Sequence, residues 1–366
     1  MHIAHTTIAD LVTALGRIIP AIPPKSTIFV LEHALLSADS DQVELTATDT
    51  ELAITTHIPA HVATSGTILV PARKLYDVVR ALPDDLSCEV NVEGEKLIIK
   101  TNIGRYEFPA LNAAEFPELP RVDHATTVVL SESDARTIAE AVTYAASSEQ
   151  YRPAMTGVKF EIGNTLVAVA TDGYRLATMT IPLEQTFHDI VEAIVPARVV
   201  ELLAKVEGEV MLGFTKTHAL ISDSRERIVA RLIDESYPQW RNVIPNDNDK
   251  VATVNRTEFL KAIRRVALFT SAASQMVRFR FADDTVTLTV VDPDTGARAE
   301  EHLACQYASE PLEIGFNHKY IAEALAHLPG EQVQLAFSAP SRAALLTPVE
   351  GNEYSITTLV MPMRLG

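Results

Sequence analysis

Apolar side chains recur with helical spacing in three similar segments of the chain, at residues 69–83, 193–208 and 313–330. In each segment a short apolar run leads through a proline or an asparagine into positions i, i+3, i+4 and i+7, which share one face of an α-helix. The pattern predicts a strand followed by an amphipathic helix, three times over, with a period of roughly 120 residues. The apolar helix positions are Leu75, Val78, Val79 and Leu82, then Val199, Leu202, Leu203 and Val206, then Ile321, Ala324, Leu325 and Leu328.

Strict alternation of apolar and polar residues marks a second repeated element, at residues 43–59, 166–182 and 286–303. Each copy holds two alternating runs joined by a turn that contains an aspartate: Asp49, Asp172 or Asp292. Period-two alternation interrupted by aspartate, glycine or proline is typical of a β-hairpin. We therefore expect one hairpin in each repeat.

A third element, an amphipathic helix, opens each repeat at residues 7–19, 131–145 and 255–269. Ser131 or Ser133 is the candidate N-cap in the second repeat, and Asn255 or Thr257 in the third, because their side chains can accept a hydrogen bond from the first helical turn. An acidic residue stands in the first turn each time: Asp10, Asp134 and Glu258.

The repeats also end alike, in the proline-punctuated stretches EFPELP (115–120) and SYPQWRNVIP (236–245). Polar segments follow at residues 121–127 and 246–252, and we interpret them as linkers. The sequence thus predicts three similar α+β domains, at 1–124, 125–250 and 251–366, each with two helices packed on β-sheets. Three similar domains in one chain favour an arc that a second copy could close.

Composition narrows the class of protein. The chain has 366 residues and a formal net charge of −17, which by itself argues against a nucleic-acid partner. Cys88 and Cys305 are its two cysteines, without a CxxC pattern, so we expect reduced thiols and neither a disulfide framework nor a metal site. We find no signal peptide and no apolar run long enough to span a membrane.

Charge is distributed unevenly, however, because basic side chains outnumber acidic ones on the six predicted helices. One interpretation is an ordinary solvated helix surface of mixed charge. The other is that all six helices line one surface that meets a polyanion, while acidic outer faces avoid it. Such contacts would go to phosphates and carry no sequence information.

Catalytic motifs are missing: the sequence has no GxGxxG, P-loop, HExxH or GxSxG pattern. Two other hypotheses stay open at this point. An enzyme could use Asp172 and Arg175 at a site between domains, and an acidic scaffold could bind partner peptides without binding DNA.

The C-terminal run LVMPMRL (359–365) is unusually apolar for a chain end. Together with ATDGYRLA (170–177), YPQWRNVIP (237–245) and LVPARKLYDVVRALP (69–83), it resembles the bacterial DNA polymerase III beta subunit, the sliding clamp, over the whole chain. The resemblance implies a three-domain clamp fold, a head-to-tail homodimeric six-domain ring around duplex DNA, no cofactor and no catalytic activity. It also implies a processivity role in replication, in the cytoplasm.

The same resemblance implies a hydrophobic groove where short peptides of the polymerase, the clamp loader and repair proteins dock. An apolar groove with a rim arginine and adaptable methionines suits short motifs that contain leucine and phenylalanine. Taken alone, the tail also fits a buried last strand, and the TDG segment fits a hairpin turn with Gly173 at positive φ. The matching groove positions are Met155, Thr171, Gly173, Tyr174, Arg175, Leu176, Pro238, Val243, Leu359, Val360, Met361, Pro362, Met363 and Arg364.

Four positions depart from the family pattern and bear on the shape of the groove. Tyr174 stands where a histidine is common, and Asn242 where a second basic residue is often seen. Ala154 and Met155 replace bulkier side chains.

For DNA contacts, Lys25 matches a basic position that contacts the duplex in the family. Arg73, Arg198 and Lys319 begin the second helix of each repeat and are our other candidates. Arg80, Lys205 and Arg265 are weaker ones.

For the subunit interface, Tyr106 and Phe108 in the first domain and Leu268 and Phe269 in the third match family positions that pack across the boundary. Large apolar residues are common interface anchors, although the same residues also fit an ordinary core.

Overall fold

A computed structural model describes residues 1–185, 187, 189–271, 274–349 and 354–365. The chain divides into two compact units. The first unit comprises Met1–Glu132 and Val206–Leu232, and the second comprises Ser133–Lys205 and Ile233–Gly366.

The secondary structure is mixed, as the sequence predicts. The helices are α1 (Ile8–Ile18), α2 (Ala72–Arg80), α3 (Glu132–Val142), α4 (Ala197–Val200), α5 (Arg256–Val266) and α6 (His318–His327). The strands are β1 (His2–Thr7), β2 (His33–Asp39), β3 (Gln42–Thr48), β4 (Leu52–Pro59), β5 (His61–Thr64), β6 (Gly66–Pro71), β7 (Ser87–Glu93), β8 (Lys96–Lys100), β9 (Arg105–Pro109), β10 (Thr126–Leu130), β11 (Gly157–Ile162), β12 (Thr165–Thr171), β13 (Arg175–Pro182), β14 (Val191–Pro196), β15 (Val210–Phe214), β16 (His218–Ser222), β17 (Glu226–Arg231), β18 (Lys250–Asn255), β19 (Met276–Ala282), β20 (Thr285–Val291), β21 (Arg298–Tyr307), β22 (Leu312–Asn317), β23 (Gln332–Phe337), β24 (Ala344–Pro348) and β25 (Ser355–Val360).

The three repeated elements are confirmed. The predicted hairpins are β3–β4, β12–β13 and β20–β21, each an antiparallel pair. The opening helices are α1, α3 and α5, and each directly follows a strand. Helices α2, α4 and α6 likewise follow β6, β14 and β22, as the apolar spacing predicts.

Helix starts follow the expected capping chemistry. The Asn255 side chain accepts a hydrogen bond from the Glu258 amide at 3.0 Å, so Asn255 is the N-cap of α5 and Thr257 lies inside the helix. Helix α3 begins at Glu132, which places Ser133 within the helix too. The polar segments that we interpreted as linkers are shorter than predicted, because β10 begins at Thr126 and β18 at Lys250.

Helix α4 is shorter than its counterparts. Regular α-helix covers only Ala197–Val200 and continues as a 3-10 turn over Glu201–Lys205. Val199 and Val200 are β-branched, and such side chains lose χ1 freedom against the preceding helical turn. The predicted apolar face is nevertheless buried at Val199, Leu202 and Val206.

The first unit contains two antiparallel sheets. One has the order β5-β1-β7-β8-β9, and the other β10-β15-β16-β17-β4-β3-β2-β6. Helices α1 and α2 pack together, and α1 also packs on β3 and β4. Its apolar stripe, Ile8, Leu11, Leu15 and Ile18, is buried there.

The second unit contains one long antiparallel sheet, with the order β14-β11-β12-β13-β25-β24-β23-β18-β21-β20-β19-β22. Helices α5 and α6 pack together, and α5 also packs on β20 and β21. Within this sheet the C-terminal strand β25 lies between β13 and β24.

Strand pairing crosses the predicted domain boundaries at two places. Strand β4 pairs with β17, with Ile54 opposite Ile228, and β13 pairs with β25, with Ala177 opposite Thr358. The compact units follow this continuity of the sheets, and the boundaries near residues 124 and 250 stay a prediction. Across the described ranges, no helix has the length and apolar character needed to cross a bilayer.

Candidate functional site

The apolar tail of the chain is a buried strand that ends in an exposed side chain. Leu359 and Val360, the last residues of β25, are 2% and 0% exposed, whereas Met361 is 42% exposed. The Met361 amide donates to the Tyr174 carbonyl at 2.9 Å, and the Met363 amide donates to the Gly315 carbonyl at 2.8 Å. The tail therefore belongs both to the core and to a surface.

The TDG segment forms the predicted turn between β12 and β13. Asp172 Oδ1 accepts hydrogen bonds from the amides of Tyr174 at 2.8 Å and Arg175 at 3.0 Å. Gly173 has φ +90°, a conformation that favours glycine. The Thr171 hydroxyl accepts from the Gly173 amide at 3.1 Å and donates to the Arg175 carbonyl at 2.6 Å. These bonds give the turn one defined conformation beside the tail.

A groove of about 940 Å³ lies between this turn, the end of β25 and the segment that follows Pro238. This volume is in the range of ligand pockets. Nine of the predicted positions line it: Met155, Thr171, Gly173, Arg175, Leu176, Pro238, Val243, Leu359 and Met361.

The other predicted positions lie outside the lining of the groove. Val360 is fully buried, because consecutive strand residues point to opposite faces and Leu359 takes the groove face. Tyr174 stacks on Tyr320 with ring centroids 6.2 Å apart. Pro362, Met363 and Arg364 follow the lining residue Met361.

The floor of the groove is an apolar cluster. Leu176 and Leu359 pack with Val169, Tyr237 and Trp240 in one buried group. The Tyr237 hydroxyl donates to the Val169 carbonyl at 3.2 Å, and burial raises the pKa of this phenol. A floor held in this way is largely preformed for an apolar ligand.

Trp240, Arg241 and Arg342 also line the groove, although the sequence reasoning missed them. Trp240 is the chain's single tryptophan and lies two residues after Pro238, a predicted groove position, so the sequence could have indicated it. Arg342 lies just before β24, far from Trp240 in sequence, and no local sequence pattern predicts that it lines the groove.

A buried carboxylate organises this side of the groove. Glu161 accepts hydrogen bonds from Trp240 Nε1 at 3.1 Å and from Arg241 at 3.1 and 2.5 Å, and Lys159 Nζ lies 3.2 Å away. Burial opposes its ionisation, but these donors outweigh burial and lower its pKa from 4.5 to about 2. Glu161 is therefore an anion at neutral pH.

Arg175, the arginine of the TDG motif, is not an open anion-binding group. Its side chain is 10% exposed, pairs with Asp172 at 3.1 Å and with Glu323, and lies over the rings of Tyr144 and Tyr320. The exposed rim arginines are Arg241 and Arg342, and both carry a carboxylate partner; Arg342 lies 2.8 Å from Asp247. The rim is thus close to neutral in charge.

Family models match the chain in three successive parts. The models of the DNA polymerase III beta subunit match at residues 3–120 (N-terminal domain), 129–239 (central domain) and 241–364 (C-terminal domain). The chain belongs to the DNA polymerase III beta subunit family. It is accordingly a DNA sliding clamp of replication, a non-catalytic processivity factor of the polymerase.

Individual clamps give the same result. The beta sliding clamp of Pseudomonas putida is 31% identical over 363 residues, covering 97% of this chain and 98% of its own length. That of Caulobacter vibrioides is 29% identical over 368 residues, covering 98% of both chains.

Two solved structures extend the comparison. The Pseudomonas aeruginosa clamp bound to griselimycin has a TM-score of 0.93 and 27% identity. The Bartonella birtlesii clamp bound to griselimycin has a TM-score of 0.93 and 28% identity. Both cover 100% of each chain.

The candidate DNA-contacting side chains of this clamp are all exposed: Lys25, Arg73, Arg198 and Lys319. The last three each occupy the second position of a helix, in α2, α4 and α6. Arg73 also donates to the Ile22 carbonyl. Of the weaker candidates, Arg80 lies 3.7 Å from Asp77 and Arg265 lies 2.6 Å from Glu301.

The candidate interface residues differ in exposure. Leu268 and Phe269 form an exposed turn directly after α5, at 83% and 42% exposure, which fits an apolar anchor of the clamp. Phe108 is 3% exposed, because it points into the core of its own sheet opposite Leu97, so its side chain is not available to a partner. Tyr106 is half-buried.

The family assignment excludes the enzyme hypothesis, because the clamp is a non-catalytic processivity factor. Asp172 and Arg175, its proposed groups, are bonded to each other and hold the turn. Over the described residues, no cluster of histidine, cysteine, aspartate and glutamate could hold a metal ion.

Proposed function

We propose that this clamp works as a homodimeric ring around duplex DNA. In this proposal the groove tethers the replicative polymerase, the clamp loader and repair proteins through short linear peptides. Its place of action is the chromosome, in the cytoplasm of a bacterial cell. The observation that carries the proposal is the preformed groove of about 940 Å³ beside the C-terminal strand.

The chemistry of the groove supports an apolar peptide as its ligand. Leu176 and Leu359 form the floor, and the exposed side chains of Val243 and Met361 stand beside it. Methionine adapts to different apolar partners, which suits a surface shared by several proteins. Griselimycin-bound clamps of two other species show that related structures hold ligands. Because the rim arginines are already paired, apolar side chains would supply most of the affinity.

The internal repeat supports a specific mode of dimerisation. Within the chain β4 pairs with β17 and β13 pairs with β25, so the second strand of two hairpins accepts a further strand. In the third hairpin, β21 pairs with β20 at residues 298–304 and with β18 only at residues 305–307. Among the described residues, the other edge of residues 298–304 has no strand partner. Strand β9 is also an edge strand, and we propose that it fills this place from a second copy.

The repeat also sets the register of this pairing. Arg298 lies opposite Val291 in the third hairpin, just as Leu176 lies opposite Thr171 in the second. Arg298 therefore corresponds to Leu176, which pairs with Leu359 of β25. Phe108 of β9 corresponds to Leu359 of β25, because each lies opposite a leucine of the strand before it, Leu97 or Leu345. Arg298 would then face Phe108 of the partner subunit, which would contribute its main chain rather than its ring.

Three residues further along, the same register places opposite charges together. Glu301 would face Arg105 of the partner subunit, a pair that stabilises neighbouring strands. Leu268 and Phe269 would provide apolar contact beside this seam.

Contacts to DNA would go to phosphates, through Lys25, Arg73, Arg198 and Lys319. All four side chains are exposed and can meet a polyanion although the chain carries a net charge of −17. Weak ionic contacts of this kind have no sequence preference and would allow sliding.

The test is to load the protein onto nicked circular DNA with a clamp loader and then cut the DNA once. We expect retention on the circle through gel filtration and loss after linearisation, because a ring leaves only over an end. Retention on the linear form would mean direct tight binding and would contradict the ring. Absence from the circle, with intact peptide binding, would favour the scaffold hypothesis.

The groove is tested separately with Val243→Asp. This change puts a charge on an exposed lining residue and should weaken binding of a labelled leucine- and phenylalanine-containing peptide at least tenfold. Val129→Asp alters a similarly exposed side chain of β10 and serves as the control. Equal affinities of both variants in fluorescence anisotropy would reject the groove as the peptide site.

A further inference from the structure

A second, smaller cavity adjoins the groove in the same unit. This side cavity has a volume of about 250 Å³ and lies near the turn between β11 and β12. Val167, Phe187 and Ile190 provide its apolar wall, and Glu161 and Arg241 its polar wall.

The side cavity and the groove share one lining residue. Arg241 lines both of them. Val167, on the wall of the side cavity, also belongs to the apolar cluster that forms the floor of the groove. A ligand that leaves the groove past Trp240 therefore meets the side cavity on the far side of a single arginine.

The Arg241 side chain lies between the groove and the side cavity and is held in place by its neighbours. The Arg241 guanidinium lies over the Trp240 ring, 4.1 Å from its centroid, and is held by two hydrogen bonds to Glu161. Its side chain is still 59% exposed, so a peptide carbonyl passing over it can accept a hydrogen bond. Because Glu161 balances its charge, the pair favours neither an acidic nor a basic residue at this point.

Part of the apolar wall is exposed. Ile190 is 71% exposed, and its Cγ1 lies 3.7 Å from the place where Gly163 would carry a Cβ. An aliphatic side chain standing over a glycine leaves room for a second apolar group against it. Covering exposed apolar surface next to an occupied groove would add affinity.

We propose that partner peptides continue beyond the groove, cross Arg241 with their main chain and place an aliphatic side chain of leucine size in the side cavity. This proposal rests on the proposed role of the groove as a peptide site. An extended chain advances about 3.3 Å per residue, so two or three additional residues reach across one arginine.

The experiment compares peptides that share one core. The core is a labelled Gly-Leu-Ser-Leu-Phe peptide, extended at either end by Gly-Ser-Leu or by Gly-Ser-Gly. At one of the two ends, the leucine extension should bind about fivefold more tightly than its glycine counterpart, as fluorescence anisotropy measures. Ile190→Asp should remove this gain and leave the affinity of the core peptide unchanged.

The outcomes separate the two proposals. Failure of the core peptide to bind would reject the groove itself. Core binding without a gain from either leucine extension, or a gain that survives Ile190→Asp, would reject the side cavity alone. Val129→Asp, which alters an exposed side chain in the first unit, should leave every affinity unchanged.

Discussion

At the scale of single residues, charged side chains near the groove of this clamp bind other residues of the chain and support its structure. Arg175 is part of the TDG motif, yet its guanidinium pairs with Asp172 and Glu323 and lies over two tyrosine rings. Glu161 binds the indole of Trp240 and the guanidinium of Arg241. Partly buried ion pairs therefore lie beside the apolar groove.

Glu161→Gln tests this support. The folded pKa of Glu161, about 2, lies below the 4.5 of an unperturbed glutamate, so the ionised carboxylate stabilises the fold. The full contribution, on the order of 3 kcal/mol, is present above pH ~4.5 and is lost as the pH falls toward 2. We expect urea unfolding to show the largest difference from wild type at neutral pH and a shrinking difference in acid.

Trp240 fluorescence is a suitable signal for that measurement, because the single tryptophan contacts the altered residue. Glu192→Gln is the matched control: Glu192 also pairs with Lys159, at 3.1 Å, but is 59% exposed and should contribute little. A difference that does not change with pH would contradict the ionic role of Glu161.

At the scale of elements, the hairpins explain how strands are added to sheets. Two of the three hairpins receive a strand from elsewhere in the chain, β17 or β25, and the third presents residues 298–304. Exposed strand edges invite pairing, and native proteins usually cover them. The edge of β21 is thus the natural place for β9 of a second copy.

A charge exchange tests the register of this seam. Glu301→Arg should shift the protein toward monomer in sedimentation velocity, because two arginines would face each other across the strands. Arg105→Glu in the same chain should restore the dimer by reversing the pair.

Glu301 also contacts Arg265 of its own chain, so the single change alone is ambiguous. Arg105→Glu combined with Glu301→Gln is the control, since it removes the proposed pair without rebuilding it. If the doubly exchanged variant stays as monomeric as Glu301→Arg, the register is wrong.

At the scale of the whole molecule, the clamp is an anion that acts on another anion. With 31 basic and 48 acidic side chains, any contact with phosphate depends on where the basic groups stand rather than on their number. The proposed contacts lie one in the segment before β2 and three at helix starts.

Replacing all four of these residues with glutamine should weaken the response of DNA binding to salt. Each lost phosphate contact makes the log–log dependence of affinity on salt less steep. The expected result is a shallower slope with unchanged peptide affinity and dimerisation; an unchanged slope would exclude these side chains as the phosphate contacts. The replaced residues are Lys25, Arg73, Arg198 and Lys319.

Much of the local structure could be predicted from the sequence. The amphipathic helices, the three hairpins and the Asn255 cap follow from side-chain periodicity and from bonds between near neighbours. The turn at Gly173 follows in the same way, because Asp172 bonds amides only two and three residues ahead. Nine of the groove positions could be found through the family motifs.

Other features needed the three-dimensional structure. Phe108 and Val360 match interface and groove positions of the family, yet both side chains are buried. Val360 lies opposite Arg175 of β13, a strand far away in sequence. Glu323, which pairs with Arg175, and Glu161, which pairs with Arg241, lie far away from them along the chain.

The sequence by itself determined the three repeats, their helices and hairpins, and the family, because these depend on spacing within short segments. Only the tertiary structure decided which side chains line the groove, which arginines are neutralised and where the side cavity opens. The physical reason is that burial and ion pairing depend on what strands distant in sequence bring together, as when β13, β24 and β25 meet in one sheet.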